Sequence, residues 1–129
     1  MNNSGKANIP AIMGLVVVLV AVVAGLAWLG NKPSKYGDFA QCLQEKGAKF
    51  YGAFWCPHCK DQKSSFGTAQ NLLPYVECST PDRQGQTPAC QQEEITNYPT
   101  WKFDNGGVVR TGVLSLEELS ELSGCQLPA

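Results

Sequence analysis

The sequence predicts an α/β sandwich, a mixed four-stranded sheet with helices on both faces, preceded by a single transmembrane helix. Three observations carry the prediction. An uncharged apolar run from Ala11 to Leu29 stands apart from everything after it. Beyond it, segments follow in the order helix, strand, helix, strand, hairpin, helix, and a strand–helix–strand unit followed by a hairpin gives a sheet of mixed direction. Finally, six cysteines in 129 residues suit a small domain whose core gains from cross-links.

Taken in order, residues 1–10 form an N-terminal tail, 11–29 an anchor, 30–35 a linker and 36–129 the globular domain. The apolar run is about as long as a bilayer core requires, and Trp28 at its end suits the interface. A cleaved signal peptide is the rival reading, with small residues at Gly25 and Ala27, but the run is long and its basic flank holds only Lys6. Lys32 and Lys35 leave the orientation open on charge alone. Gly30 to Lys35 is rich in turn-formers.

In the domain, Asp38 is placed to cap a helix over Phe39–Lys46, which Gly47 ends. Ala48–Phe54 is an apolar, aromatic run suited to a buried strand. Cys56–Leu73 reads as a helix with Pro57 in its first turn, where a missing N–H costs nothing. Tyr75–Cys78 is a short strand, Ser79–Ala89 a loop, and Gln91–Ile95 one helical turn. Thr100–Phe103 and Val108–Thr111 flank Asp104-Asn105-Gly106-Gly107, a hairpin signal. Ser115 and Glu118 form a capping box for the last helix, whose buried face carries Leu116, Leu119 and Leu122. Phe50, Phe54 and Trp101 read as core, and Tyr75 as packing.

Charge excludes one class of function. The formal net charge is −1 with no basic block, so nothing forms a footprint for nucleic acid. The cysteines point elsewhere, because disulfides persist in exported compartments and are rare in reducing ones.

Trp55-Cys56-Pro57-His58-Cys59 is the specific signal. Two intervening residues at a helix start let both sulfurs meet in the first turn and close a small disulfide ring. Cys56 stands where free N–H groups and the macrodipole favour an anion, and the thiolate is the form that attacks. That makes Cys56 the nucleophile and Cys59 the resolving sulfur. His58, the only histidine, is a donor that stabilises the thiolate and makes the disulfide oxidising; the bland reading is an exposed turn residue. Trp55 shields the disulfide and shapes substrate approach. The redox-active disulfide needs no other cofactor and no metal. A zinc site of Cys56, Cys59, Cys78 and Cys90 is the competing reading, but the two-residue spacing does not recur. Haem attachment would need a histidine where Lys60 stands.

The motif resembles a thioredoxin-superfamily active site. Ile95-Thr96-Asn97-Tyr98-Pro99-Thr100 is similar to the segment around that family's cis-proline, and Phe103–Gly107 and Thr111–Ser115 resemble its hairpin and its entry to the last helix. The resemblance implies a cis Pro99, with Tyr98, Pro99 and Thr100 binding substrate. A closer resemblance is to the thioredoxin-like domain fused to, or partnering, bacterial and plastid vitamin K epoxide reductase (VKOR) homologues. It is carried by Phe39–Leu43, Tyr51–Cys59, the pair Cys78/Cys90 and Tyr98–Trp101. It implies a membrane-anchored thiol–disulfide oxidoreductase that oxidises cysteine-containing exported proteins on the periplasmic or thylakoid-lumen side, re-oxidised by a quinone-linked membrane enzyme that must here be a separate subunit. A disulfide reductase or isomerase, a zinc- or copper-binding module and a non-catalytic adaptor are the alternatives. One departure is Phe50, which stands where thioredoxins carry a buried acid and leaves no named general base.

Cys78 and Cys90 bracket a loop whose closure would remove roughly 3 kcal/mol of unfolded-state entropy, and the resemblance suggests that pair as a structural disulfide, with a redox relay as the other role. Cys42 and Cys125 are left near the domain's two ends, either bridged or as two free buried thiols.

Overall fold

A computed structural model describes residues 8–30 and 34–129, as two separate units. Residues 1–7 of the expected tail and 31–33 of the expected linker lie outside the described residues. The first unit is α1 (Ile9–Gly30), a 22-residue helix with an 18-residue stretch of mean hydropathy 2.8 and no buried side chain. It is long and apolar enough to cross a membrane.

The second unit is an α/β fold around a mixed four-stranded sheet. After α2 (Gly37–Glu45) come β1 (Lys49–Gly52), α3 (Pro57–Ser64), a 3-10 helix (Gly67–Leu72), β2 (Tyr75–Glu77), α4 (Pro88–Gln92), β3 (Thr100–Phe103), β4 (Val108–Thr111) and α5 (Leu116–Ser123). The strands lie in the order β2-β1-β3-β4. β1 pairs parallel with β2 and antiparallel with β3, and β3 with β4 makes the expected hairpin.

Alternation along the strands divides the core in two. Phe50 lies opposite Trp101 and stacks on it at 4.8 Å between ring centroids, and Trp101 stacks on Phe103. These rings pack with Phe39 and Leu43 of α2, Cys59 of α3, Ala69 of the 3-10 helix and Leu119 of α5. Tyr51 points the other way, into a smaller cluster with Cys78, Cys90 and Ile95. The reading of helices on both faces thus has a physical basis in two clusters of unequal size.

Several boundaries differ from expectation. The helix expected over Cys56–Leu73 is broken: α3 ends at Ser64 and a 3-10 segment begins at Gly67, whose φ of +55° a right-handed helix cannot continue. The break lets Phe66 bury itself against the Phe39 ring, 5.8 Å away. Asp38 lies in the first turn of α2 rather than at its cap, which is Tyr36 without a side-chain bond; there its charge still suits the helix dipole. The helical turn expected at Gln91–Ile95 starts at Pro88, a residue suited to a first helical turn. Phe54 is not core. It lies beyond the end of β1, where the chain leaves the sheet, and is 41% exposed. The last helix has its capping box, with Glu118 N–H donating to Ser115 Oγ at 3.1 Å. Its buried face holds Leu119 and Ser123, with Leu116 and Leu122 partly covered.

Two cross-links close the domain. Cys42 of α2 is bonded to Cys125 beyond α5, with Cα atoms 5.9 Å apart, and Cys78 to Cys90 of α4, 5.4 Å apart. The first joins elements 83 residues apart in sequence; the second closes a loop of 12.

Candidate active site

β1, an inner strand, delivers the site beyond its C-terminal end. Past Gly52 and Ala53 the chain turns, the Cys56 N–H donates to the Ala53 carbonyl, and Cys56 becomes the N-cap of α3 in extended conformation, with Pro57 opening the helix. Pro57 fits there because the first helical N–H has no partner to lose. Cys56 and Cys59 carry free thiols. The Cys56 sulfur is 6% exposed as a residue, and Cys59, one turn on, 1%. One is at the surface's edge and the other behind it.

Burial pushes the Cys59 thiol up to about 12; the Ala53 backbone opposes that shift, and Cys56 beside it adds to it. Lys63, one turn further along α3, pulls the other way. Its ammonium sits 3.3 Å from the centre of the Tyr75 ring. Gly52 makes this crowding possible. A Cβ on it would lie 2.8 Å from Cys59 Sγ and 3.0 Å from the Tyr75 ring, so only a glycine lets both approach the strand.

The facing wall comes from the segment before β3. The Tyr98–Pro99 peptide bond is cis, and the Tyr98 carbonyl oxygen lies 3.9 Å from Cys56 Sγ. Thr100 is buried in β3, its hydroxyl donating to the Asn97 carbonyl at 2.7 Å. Trp55 is 39% exposed and meets the Tyr98 ring edge to face at 6.2 Å. Cys56, Trp55, Tyr98 and Pro99 are therefore brought together, while Thr100 supports the segment from below. His58 is turned outward: its side chain is 72% exposed, with Nδ1 3.9 Å from Asp61 Oδ2. Cys78 and Cys90 are bonded to each other, which removes them from the four-thiolate zinc arrangement.

Three residues that sequence reasoning passed over build the surroundings. Gln62, fully buried on α3, accepts from the Leu114 N–H (2.8 Å) and the Trp101 indole N–H (3.2 Å) through one oxygen, and donates to the Leu114 carbonyl at 3.1 Å. It ties the cysteine-bearing helix to the sheet and to the entry of α5. Glu77 closes β2: its carboxylate accepts from the Phe54 N–H (3.2 Å), the Ser79 N–H (2.9 Å) and the Tyr75 hydroxyl (2.8 Å). Burial first, then this bond to Glu77, raises the Tyr75 pKa and keeps the phenol protonated. Ser79 Oγ accepts from the Trp55 indole N–H at 2.8 Å. A glutamine three residues past a Cys-x-x-Cys pair, among charged neighbours Lys60, Asp61 and Lys63, was the available signal for Gln62; Glu77 and Ser79 gave none.

A free thiol at a helix N-cap, only slightly exposed, with a second thiol sealed behind it, can form a disulfide within one turn and exchange it with a thiol arriving at the outer sulfur. No family model matches the chain. It is similar to the thiol-disulfide oxidoreductase LTO1 of Arabidopsis thaliana, 41% identical over 136 aligned residues that take in 87% of this chain and 36% of that protein. The chain thus spans little more than a third of the length of that curated relative, and the alignment is long enough to include the segment bearing Cys56 and Cys59.

Proposed function

We propose that the chain is a membrane-anchored thiol–disulfide oxidoreductase, with Cys56 the sulfur that partners touch and Cys59 the one that resolves. It works in the oxidising direction on cysteine-containing exported proteins and is re-oxidised by a VKOR-type, quinone-linked membrane partner. The observation that carries this reading is the unequal exposure of two free thiols on one helical turn, with the Tyr98 carbonyl 3.9 Å from the outer sulfur. The relative's name supports the reaction class.

In the oxidised form Cys56 and Cys59 share a bond. A substrate thiolate attacks Cys56 Sγ; that bond breaks, and Cys59 leaves as a thiolate and takes a proton. The substrate's second thiolate then attacks its own sulfur in the mixed disulfide and releases Cys56. Two electrons pass to the pair, and the two protons lost by the substrate end on the two cysteines. Lys63 eases the departure of the buried Cys59 thiolate, because a leaving sulfur favoured as an anion leaves faster. Handing the electrons to the membrane partner restores the bond.

Two observations support an oxidising compartment: the bonded pairs Cys42–Cys125 and Cys78–Cys90, and a helix, α1, able to cross a membrane. His58 at the start of α3 favours the reduced pair and so the oxidising direction, with Asp61 offsetting part of that effect. A reduction potential nearer about −270 mV than about −120 mV would instead assign a reductase or isomerase.

The test is trapping. Cys59→Ala in the full chain leaves Cys56 as a lone thiol that attacks partner disulfides and removes the inner thiol that would clear the product, so mixed disulfides on Cys56 with exported proteins and with the membrane partner are expected to accumulate. Capture of cytosolic proteins alone would reverse the topology. Equal capture by a Cys56→Ser, Cys59→Ala double variant would remove Cys56 from the reaction.

A further inference from the structure

The loop between Cys78 and Cys90 meets three aromatic side chains near the reactive cysteine, Trp55, Phe54 and Tyr98. Ser79 Oγ accepts the indole N–H of Trp55 at 2.8 Å. The Arg83 guanidinium lies 5.3 Å from the centre of the exposed Phe54 ring. Gln86 Nε2 donates to the Tyr98 hydroxyl at 2.8 Å and to the Ile95 carbonyl at 2.7 Å. Trp55 and Tyr98 are themselves in edge-to-face contact, so the rings form one apolar lip beside Cys56, held from behind by one loop.

That loop is built to keep its shape. Ser79 and Gln86 face each other in an antiparallel bridge, and the Thr80 N–H donates to the Gly85 carbonyl at 3.0 Å. The Thr87 N–H and hydroxyl donate to the Cys78 and Glu77 carbonyls, at 2.8 Å and 2.9 Å. The Cys78–Cys90 bond lies at its base, fully buried. The bond is sealed away from partners, while the residues between its cysteines reach the site.

We infer that Ser79 and Gln86 are positioning residues for substrate docking: the disulfide-closed loop fixes the Trp55 and Tyr98 rings as a lip that receives an apolar side chain next to the substrate's cysteine. The inference rests on the exchange activity proposed above. Neither residue touches the sulfurs, so their removal acts on docking rather than on exchange. An amphipathic ring fixed by its polar atom offers its apolar body at low entropic cost, and releasing the polar atom returns that cost to binding.

The experiment compares two reductants of the Cys56–Cys59 disulfide in the full chain: a cysteine peptide with leucine beside the cysteine, and dithiothreitol, which has no side chain to dock. Ser79→Ala and Gln86→Ala each raise KM for the peptide by about 3- to 10-fold, the span of one hydrogen bond. They leave kcat and the dithiothreitol rate within about twofold. Combining Ser79→Ala with Trp55→Phe, which removes the same bond from its other end, adds less than the product of the single effects. Unchanged KM in both single variants, an equal fall in the dithiothreitol rate, or full additivity overturns the inference. Wild-type protein that exchanges with neither reductant would instead overturn the activity itself. The Cys78→Ala, Cys90→Ala variant moves the peptide KM in the same direction; the point variants decide the matter should it fail to fold.

Discussion

Two cysteine pairs follow two neighbouring parallel strands, and their fates differ. Cys56 comes after β1 and Cys78 directly after β2. The first pair sits on a single helical turn, carries free thiols, and keeps its outer cysteine slightly exposed, at 6% against 1% for the inner one. The second spans a loop, is fully buried on the opposite face of the sheet and is bonded. The difference lies in surroundings rather than in sulfur. Exchange needs a thiolate that a partner can reach, and only Cys56 combines a helix N-terminus with an open side. The sealed pair acts at a distance, by shaping the loop that borders the open one.

The sharpest way to break this comparison is to remove each pair in turn. Cys56→Ser is expected to abolish exchange with peptides and with dithiothreitol, whereas Cys78→Ala, Cys90→Ala retains the dithiothreitol reaction, both followed by the absorbance of the oxidised product. Loss of both reactions in both variants would erase the distinction. Stability reverses the ranking. Opening Cys42–Cys125 costs about 4.5 kcal/mol and opening Cys78–Cys90 about 3 kcal/mol, because the first closes the longer loop. Removing Cys56 leaves stability nearly unchanged. Denaturant titration of the three variants measures this order.

Much of this was legible in the sequence, for physical reasons that differ by element. The hairpin and the last helix announce themselves through local chemistry, Asn-Gly-Gly at one and a Ser-x-x-Glu box at the other, and their bounds follow closely. The Cys-x-x-Cys pair is as local. Cys42–Cys125 could not be settled, because a bond across 83 residues is decided by tertiary packing. Phe54 misled because hydrophobicity marks it as core while the strand ends two residues earlier. Glu77, Ser79 and Gln86 were silent because their partners lie at Phe54, Trp55 and Tyr98, distant in sequence except through the fold.

Smaller effects sharpen the contrast within the open pair. Burial holds Cys59 as a neutral thiol, up to about 12, so the thiolate fraction that resolves a mixed disulfide grows about tenfold per pH unit below that value. The resolution rate, read by stopped flow on a peptide-loaded protein, should rise with pH between about 7 and 9. Lys63→Met, which removes the cation that favours the thiolate, slows it at each pH; a flat profile would mean that the inner sulfur is not buried in the reacting state. His58→Ala is the mildest change. With its ring outward toward Asp61, it is expected to lower the reduction potential by no more than about 30 mV, tenfold in equilibrium constant.

The most direct test is to alkylate the protein, with Cys56 and Cys59 reduced and both buried bridges intact, at neutral pH with a limiting maleimide, and to locate the label by peptide mass. The label should fall on Cys56 first, reach Cys59 only after denaturation, and reach Cys78 and Cys90 only after both denaturation and reduction. Labelling of Cys59 in the folded protein as fast as Cys56, or of Cys78 before unfolding, would contradict the assignment of one open sulfur and three sealed ones.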